Sequence, residues 1–392
     1  MASYLQGKLA TSGEWSKGPV CVVAIGKAAA QMAAGAFDVL GPQLLSALIV
    51  TKRGHCEPLF SQEMPVRCFE AAHPVPDETS IQAGHILLAY LDRAPASAKF
   101  LLLISGGASS LVELLPLGVT TNDLVRTHQW LLAAGLPITA INRVRKRISC
   151  LKAGRLAVFL RGRETLSLLI SDVPGDDPRV IGSGLLTSHD AGDIAVSDLP
   201  LPSWLLDLTA DPPPLPHPQA FSSIHTEVVA WPALARKAAA EVATARGYQV
   251  HVHNNLLAGD ATQAGRNVIH QVFAGLPGIH IWSGEATVQL PPQPGQGGRC
   301  QSLALAAAMC IVGRDDTWLL AAGTDGTDGP GTVAGAMVDG GTIDRGTRFG
   351  LNPERCLAGA DAGTFLRASN DLIITGPTGT NVMDLVVALR CL

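Results

Sequence analysis

Short runs of hydrophobic residues alternate along the first half of the chain with longer segments of helical character. Residues 20–25 are rich in β-branched side chains and predict a first strand, and the alanine-rich residues 27–40 predict the helix behind it. Further strands are predicted at 44–51, 66–70, 99–104 and 165–170, and helices at 77–91 and 121–147, the latter interrupted by Gly135 and Pro137. Uniformly hydrophobic strands that alternate with helices predict an open parallel α/β sheet.

The second half shows a similar pattern after a proline-rich segment. Residues 199–218 include the run Pro212-Pro213-Pro214 and are expected to form a surface segment without regular structure, either a linker or an excursion within one domain. Helices are then predicted at 227–246, starting or kinking at Pro232, at 260–274 and at 301–311, with strands at 248–253, 279–283, 287–290, 317–322 and 372–374. The hydrophobic residues 382–389 close the chain. We expect a second α/β unit with at least one hairpin, and place the domain boundary between residues 222 and 223.

Composition supports two globular domains. The 392 residues are too many for one typical core, and 47% are hydrophobic whereas only 16% are charged. The net charge of -4 provides no basic field for nucleic acid or an acidic membrane surface. The hydrophobic runs are shorter than the roughly 20 residues of a membrane span, and the N-terminus lacks a signal-peptide core, so a cytoplasmic protein is expected. The eight cysteines show no CxxC or zinc spacing and are predicted to be reduced and mostly buried.

Candidate chemistry gathers where the predicted strands end. The segments concerned are Gly26-Lys27, Ser105-Gly106-Gly107, Asp172 with Asp176, Gly297-Gly298-Arg299, and Asp325 with Asp328. Glycine loops, a few cations and several carboxylates are what phosphoryl transfer requires, because Mg²⁺ and Lys or Arg neutralise the transferring group. The Ser-Gly-Gly loop, residues 105–109, suits a phosphate but is equally compatible with a plain strand-to-helix turn. No GxxxxGK[ST] motif occurs, which excludes a Walker-type ATPase.

The single candidates each have an ordinary structural alternative. Lys27 falls in the first turn of a predicted helix, which is unfavourable for a cation, so a functional role is favoured over a solvated lysine. The aspartate pairs are compatible with binding a metal or a substrate hydroxyl, and also with Asx turns and helix caps. Arg299 ends a glycine-rich stretch that predicts a hairpin tip suited to bidentate contact with phosphate or carboxylate. His73, before Pro74, is a second-rank candidate.

A polar stripe is predicted after the midpoint of the first domain. Its members recur at spacings of three and four and would share one face of a single helix: Asn142, Arg145, Ser149, Lys152 and Arg155. By itself such a stripe is typical of a solvated basic face.

Ordered motifs along almost the whole chain resemble a known family. Gly26-Lys27-Ala28-Ala29, His73-Pro74-Val75-Pro76-Asp77, Ser105-Gly106-Gly107-Ala108-Ser109, the stripe from Asn142 to Ala157 and Ser171-Asp172-Val173-Pro174-Gly175-Asp176 resemble the N-terminal domain of glycerate 2-kinases. Gly284-Glu285-Ala286-Thr287-Val288, Gly297-Gly298-Arg299, Gly323-Thr324-Asp325-Gly326 with Asp328-Gly329-Pro330, and Thr375-Gly376 with Thr378-Gly379-Thr380-Asn381-Val382-Met383-Asp384 resemble its C-terminal MOFRL domain.

This resemblance implies a fold and an activity. A Rossmann-like N-terminal domain with an open parallel sheet, residues 1–222, and a smaller MOFRL-type domain with a mixed sheet, residues 223–392, would enclose a cleft. The implied reaction is phosphorylation of the 2-hydroxyl of D-glycerate by ATP with Mg²⁺, giving 2-phosphoglycerate and ADP. The implied partners are these small molecules, without nucleic acid or membrane, in a monomer or homodimer.

The resemblance also implies residue roles. Lys27 and Arg299 would stabilise phosphoryl charge, and one of Asp172, Asp176, Asp325 or Asp328 would hold Mg²⁺ or orient the hydroxyl. Among these carboxylates, Asp172 and Asp325 are the catalytic candidates, and Asp172 and Asp176 the candidates for the metal. Substrate or nucleotide binding is implied for a larger set of residues, namely Gly26, Ser105, Gly106, Gly107, Ser109, Asn142, Arg145, Lys152, Asp176, Glu285, Gly298, Asp328, Thr378 and Asn381.

Several departures from the family pattern leave alternatives open. Ala108 and Ala153 replace usual glycines, which matters where a residue needs positive φ, and Cys300 and Ser302 replace a common Asn and Glu. A kinase of another small hydroxy acid, or an impaired relative that only binds a sugar acid or nucleotide, therefore stays possible. A hydroxypyruvate reductase is disfavoured, since no GxGxxG follows a predicted strand. The short stretch before the first strand predicts that the family's N-terminal helix is absent.

Overall fold

The computed structural model describes residues 18–56 and 65–391, together with residues 4, 6 and 7. The chain divides into two compact units, Met1–Ala230 and Trp231–Leu392. Residues 4, 6 and 7 are helical, although the sequence predicts no helix before the first strand; the other positions of that segment lie outside the described residues. No helix in the described ranges has the length and hydrophobicity that a membrane span requires.

Unit 1 is built on a six-stranded parallel sheet with the order β3-β2-β1-β4-β5-β6. The central strand β1 is buried along its whole length, as expected for a parallel sheet that helices cover on both faces. The six strands are β1 (Val20–Ile25), β2 (Leu44–Lys52), β3 (Val66–Ala71), β4 (Lys99–Ile104), β5 (Thr165–Ile170) and β6 (Ile224–Ala230). The prediction of an open parallel sheet is therefore confirmed.

The strand order of unit 1 determines where a ligand can bind. Chain order runs outward from β1 to β3 on one side and from β4 to β6 on the other, so it reverses between β1 and β4. Ile25 and Ile104 end these two strands and are paired in register. The loops that follow them therefore share the carboxyl edge of the sheet at its switch point, where open α/β sheets bind ligands.

Seven α-helices lie in the described part of unit 1. The sequence predicts the longer ones to within a few residues, and the interruption at Gly135 and Pro137 separates two of them. They are α1 (Ala29–Leu40), α2 (Glu78–Arg93), α3 (Ala108–Leu111), α4 (Thr121–Ala133), α5 (Ile138–Arg147), α6 (Leu156–Phe159) and α7 (Ser203–Leu208). Helix α7 corrects the expectation that residues 199–218 lack regular structure, because Pro202 directly precedes its first turn, where proline is tolerated.

Unit 2 contains a mixed six-stranded sheet with the order β11-β10-β9-β12-β8-β7, which confirms the predicted mixed topology. Only β7 and β8 run parallel, and the other neighbours are antiparallel. The strands are β7 (Val250–Val252), β8 (Gly278–Gly284), β9 (Thr317–Gly323), β10 (Gly335–Asp339), β11 (Leu372–Ile373) and β12 (Asp384–Arg390). The helices are α8 (Pro232–Ala245), α9 (Ala261–Ala274), α10 (Arg299–Cys310), α11 (Thr342–Thr347), α12 (Pro353–Ala358) and α13 (Ala362–Ala368).

Three local predictions are wrong. Residues 227–230 belong to β6, which pairs with β5, so the helix predicted from 227 begins only at Pro232 and the first unit extends to Ala230, beyond the boundary expected at 222. Residues 287–290 form no strand, because Thr287 makes only an isolated bridge with Asp260. Cys56 and Cys68 form a disulfide, although all cysteines were predicted to be reduced. Parallel pairing of β3 with β2 brings Cys68, in β3, close to the segment that follows β2 and contains Cys56. The spacing of the cysteines in the sequence does not reveal this proximity.

Candidate active site

The loops after β1 and β4 interlock at the switch point of unit 1. The backbone N–H of Lys27 donates to the carbonyl of Gly106 at 2.9 Å, and the N–H of Ala28 donates to Ser105 Oγ at 3.1 Å. Gly26 has a φ of +132°, and a Cβ added there would lie 2.1 Å from Ser105 Oγ. Only glycine therefore allows the two loops to approach so closely.

Lys27 and His73 both reach the Ser-Gly-Gly loop. A Cβ added at Gly107 would lie 3.0 Å from His73 Cδ2 and 3.3 Å from Lys27 Cγ. Gly107 also has a φ of +87°, which favours glycine at the start of α3. The structure thus brings together two cationic or titratable side chains and the predicted anion-binding loop, and it places the second-rank candidate His73 in the same site.

A chain of side-chain hydrogen bonds leads from this loop to α5. Ser109 Oγ lies 2.7 Å from Ser183 Oγ, and the Ser183 hydroxyl donates to Asn142 Oδ1 at 3.0 Å. The Asn142 amide in turn donates to the carbonyl of Val180 at 3.2 Å. Ser183 itself adopts a left-handed φ of +59°, an uncommon conformation for a residue with a side chain. Two predicted site residues, Ser109 and Asn142, are therefore connected through a residue that the sequence did not single out.

The predicted polar stripe does not lie on one helix. Helix α5 ends at Arg147, so Ser149, Lys152 and Arg155 follow it in turns, and all three are buried. Arg155 donates to the carbonyls of residues 146, 149, 152, 213 and 214, which fixes the proline-rich segment to this region. The solvated-face interpretation of the stripe is therefore wrong, because local turn geometry turns its second half inward.

Lys152 is fully enclosed and forms an ion pair with buried Glu113. Burial lowers the pKa of Lys152, while the Glu113 charge acts in the opposite direction. Arg145 lies close enough to sense the same carboxylate, and burial lowers its pKa to about 10. Its Nε has no hydrogen-bond partner among the described residues. Two cations of this region are predicted to bind ligand. Lys152 is instead paired with Glu113, whereas Arg145 has an Nε donor that no described residue accepts.

The carboxylates at the end of β5 remain candidates for a metal ion. Asp176 has a φ of +53°, and its buried Oδ1 has no hydrogen-bond partner within the described residues. The neighbouring Asp177 is hydrogen-bonded to Arg179. Burial raises the pKa of the Asp177 carboxyl, but Arg179 lowers it by more. Asp172 is half-buried on the same turn. No group of three or more potential metal ligands occurs in the described part of the chain.

In unit 2, Arg299 is the first residue of α10 rather than part of a hairpin tip. Its guanidinium donates to Asp384 through Nε at 2.6 Å and Nη2 at 2.9 Å, and Nη1 lies 2.8 Å from Glu285. Burial alone would lower the pKa of Arg299, but Asp384 and Glu285 raise it. Arg299 and Glu285 line a pocket of about 430 Å³ together with Gly298 and Ser302. Asp384 ends the last of the family motifs but is not among the predicted site residues.

The two carboxylates of the Gly-Thr-Asp-Gly region have structural roles. Asp328 accepts hydrogen bonds from the backbone N–H groups of Cys300 and Gln301 at 3.0 and 2.8 Å, which satisfies the first turn of α10. Asp325 Oδ1 accepts from the N–H and hydroxyl of Thr327, both at 2.9 Å, as in an Asx turn. Both carboxylates are buried, and these contacts match the helix-cap and Asx-turn alternatives. The catalytic role of Asp325 and the binding role of Asp328 stay predictions.

Other predicted residues of unit 2 lie around the same loops. The Thr378 hydroxyl donates to the carbonyl of Thr324, and buried Asn381 follows in the loop before β12. Cys300 is buried in the hydrophobic core. Burial, together with the Asp384 and Asp328 charges, raises the pKa of its thiol. The replacement at Cys300 therefore affects the core, whereas Ser302 faces the pocket.

Comparison with known proteins places both units in one family. Residues 3–196 match a domain of unknown function, DUF4147, and residues 278–384 match the MOFRL family. A D-glycerate 2-kinase from Thermotoga maritima is 35% identical and is covered over 90% of its length by 94% of this chain. A protein from Agrobacterium vitis, provisionally named a hydroxypyruvate reductase, is 36% identical, with 94% of this chain and 98% of that protein covered. The crystal structure of a glycerate kinase from T. maritima matches with a TM-score of 0.80 and 33% identity over 98% of this chain and 94% of its own. The chain thus belongs to the glycerate 2-kinase family.

Proposed function

We propose that this protein is an ATP-dependent glycerate 2-kinase that transfers the γ-phosphoryl group to the 2-hydroxyl of D-glycerate, giving 2-phosphoglycerate and ADP. The observation that carries the proposal is the position of Lys27. Its backbone N–H donates to the carbonyl of Gly106, and its Cγ would lie 3.3 Å from a Cβ added at Gly107, at the point where the strand order of the parallel sheet reverses. The relatives named as glycerate kinases support the choice of glycerate as acceptor.

Unit 1 would bind the phosphates. Phosphoryl transfer depends mainly on positioning and on neutralising charge, because the transition state spreads negative charge over the equatorial oxygens. The Ser-Gly-Gly loop offers backbone and hydroxyl donors, and the Lys27 ammonium would stabilise charge on the transferring group. Arg145, with its unused Nε donor, is suited to a carboxylate or phosphate oxygen.

Asp172 and Asp176 would hold Mg²⁺. The ion is commonly bound by one or two carboxylates that are completed by substrate phosphates, so two aspartates on one turn fit this requirement without a third protein ligand. The unsatisfied Oδ1 of Asp176 is consistent with a missing cation partner. When bound, the ion would supply charge neutralisation at the phosphates. Asp172 would accept a hydrogen bond from the substrate hydroxyl and orient it for in-line attack.

In unit 2, Arg299 would contact an anionic group. Asp384 holds the guanidinium through two hydrogen bonds, which leaves the contact between Nη1 and half-exposed Glu285 as the exchangeable one. A phosphate or carboxylate in the pocket would replace Glu285 there. This role requires that Asp384 keeps Arg299 oriented while Nη1 exchanges Glu285 for the anionic group of the ligand.

A coupled assay tests the proposal. ADP formation is followed with D-glycerate, L-glycerate, glycolate and lactate as acceptors, for the wild type, Lys27→Ala and the control Lys237→Ala, whose ammonium is exposed in a surface pair. We expect ATP turnover with D-glycerate, a loss of at least about 100-fold in Lys27→Ala and an unchanged control.

Four other results would change the interpretation. Full activity of Lys27→Ala would refute the role of Lys27. Turnover with another hydroxy acid only would support a different kinase, and thermal stabilisation by ATP or glycerate without turnover would support a binding protein. NADH-dependent reduction of hydroxypyruvate in a parallel arm would support the activity in the name of the A. vitis relative.

A further inference from the structure

We infer that Glu113 is a positioning residue for the Ser-Gly-Gly loop: its ion pair with Lys152 closes a ring of contacts that fixes Ser109 in place. The inference rests on the proposed function only for its kinetic consequence. Its structural basis lies entirely within unit 1, and neither the family resemblance nor the sequence pattern selected Glu113.

The ring starts at the loop itself. Ser109 lies in α3, which ends at Leu111, so Glu113 follows the loop and this helix after one further residue. The backbone of Glu113 is held against α2, because its N–H donates to the carbonyl of Ser80 at 3.0 Å. At Gly84 of α2 an added Cβ would lie 2.0 Å from the carbonyl oxygen of Glu113. The backbone at Glu113 therefore has little freedom to move toward α2.

The side chain of Glu113 continues the ring to a second segment. Its Oε2 pairs with Lys152 Nζ, and the two side chains are 1% and 0% exposed. The other oxygen, Oε1, accepts from the N–H of Leu114 at 3.0 Å. A backbone hydrogen bond from Cys150 N–H to the carbonyl of Leu114, at 2.7 Å, joins the same two segments. Both carboxylate oxygens are thus engaged, which fixes the rotamer of Glu113.

The segment at Lys152 closes the ring back to the loop. The N–H of Ala153 donates to the carbonyl of Ser183 at 3.1 Å, and the Ser183 hydroxyl lies 2.7 Å from Ser109 Oγ. Ala153 and Ser183 both have left-handed backbone conformations, with φ of +54° and +59°. Such conformations cost free energy and persist only where surrounding contacts enforce them. The buried pair is one of the contacts that can enforce them.

An ion pair is a costly way to fill this space. Two apolar side chains of similar size would often stabilise a protein equally well, because removing both charges also removes their desolvation penalty. Loss of the carboxylate alone would leave Lys152 buried beside Arg145 without the charge that favours the protonated form of both. The ion pair and the hydrogen bonds of Glu113 have preferred directions, so they orient the loop more effectively than they stabilise the fold. Order in the loop and stability of the fold can be measured separately.

The test uses the full chain and compares Glu113→Leu/Lys152→Met with the wild type. Asp92→Asn, which removes an exposed ion pair with Arg161, is the matched control. We expect the double variant to fold, with amide hydrogen exchange in peptides covering residues 105–111 accelerated at least about tenfold and other peptides of the sheet unchanged. If the kinase proposal holds, KM for ATP rises at least about fivefold, and by a larger factor than kcat falls.

The outcomes separate the two proposals. Unchanged exchange in residues 105–111 of the folded double variant would overturn the positioning role, whether or not the wild type is a kinase. Accelerated exchange with no ATP turnover by the wild type would leave the positioning role standing and refute the proposed function. If the double variant does not fold, Glu113→Asp provides the same measurement, because it keeps the charge and shortens its reach; wild-type exchange in that variant would overturn the inference.

Discussion

Arg299 binds two carboxylates that differ in burial, and this difference predicts unequal effects of neutralising them. Asp384 is 7% exposed and makes two hydrogen bonds, at 2.6 and 2.9 Å, whereas Glu285 is 46% exposed and makes one contact at 2.8 Å. Exposed pairs contribute about 0–1 kcal/mol, and breaking fully buried pairs costs about 3–5 kcal/mol. The Arg299 side chain is 30% exposed, so solvent screens the stronger pair in part. We therefore expect Asp384→Asn to cost about 2 kcal/mol and Glu285→Gln at most about 0.5 kcal/mol.

Urea unfolding measures this contrast. With a slope of about 2 kcal/mol per molar urea, Asp384→Asn should lower the unfolding midpoint by about 1 M and Glu285→Gln by less than about 0.3 M. Tryptophan fluorescence and circular dichroism are recorded together, because a chain of two units need not unfold in one step. Equal shifts for the two variants, or a larger shift for Glu285→Gln, would refute the assignment of Asp384 as the main support of Arg299.

Two further predictions concern unit 1. Gly26→Ala should abolish loop packing and activity, because its Cβ would meet Ser105 Oγ at 2.1 Å. Gly162→Ala, also at positive φ but with nothing within 4 Å of its Cβ, should keep activity and lower the free energy of unfolding by only about 1 kcal/mol. Equal losses of activity in the two variants would contradict the steric argument. Burial lowers the pKa of Lys146 to about 8, so between that pH and about 10.5 the unfolded chain binds more protons than the folded chain. The free energy of unfolding of the wild type, relative to that of Lys146→Met, should therefore rise with pH in this range, by at most about 1.4 kcal/mol per pH unit. A flat or falling difference in the denaturation curves would contradict this.

Hydrophobic patterning was sufficient to predict five of the six strands in the sheet of unit 1. Strands β1, β4 and β5 match their predicted bounds, because a strand buried on both faces consists of one uninterrupted hydrophobic run. Edge strand β6 was not predicted, because it is only half-buried and its sequence runs into an alanine-rich helix. Strand β10 and the short helices α11, α12 and α13 carry patterns too brief to show a period, so tertiary contacts decide their conformation.

The candidate site was predictable where chemistry depends on backbone loops. Gly26, Lys27 and the Ser-Gly-Gly loop follow strands whose register brings them together, and parallel pairing alone implies this proximity. Glu113 and Asp384 were not selected, because each acts through a partner distant in sequence: Lys152 is 39 residues away and Arg299 is 85 residues away. Periodicity cannot reveal such pairs. For the polar stripe, periodicity predicted one helix face, which is wrong because the helix ends at Arg147 and turns follow it.

The departures from the family pattern have different consequences in the structure. Ala153 is among the described non-glycine residues with positive φ and Ala108 is not, so only the first replacement occupies a conformation that favours glycine. Cys300 packs in the core of unit 2, whereas Ser302 lines the pocket beside Arg299. Of the two departures in unit 2, Ser302 is therefore the one that lines the pocket, and Ala108 is the departure that lies within the Ser-Gly-Gly loop of unit 1.

The regiochemistry of the product tests the central proposal most directly. The wild-type protein is incubated with D-glycerate, ATP and Mg²⁺, and the product is identified by phosphorus-proton correlation in NMR. We expect coupling of the new phosphorus to the single proton on C2, as in 2-phosphoglycerate, and loss of this signal in Lys27→Ala. Coupling to the C3 methylene protons, or no phosphorylated product at all, would contradict it.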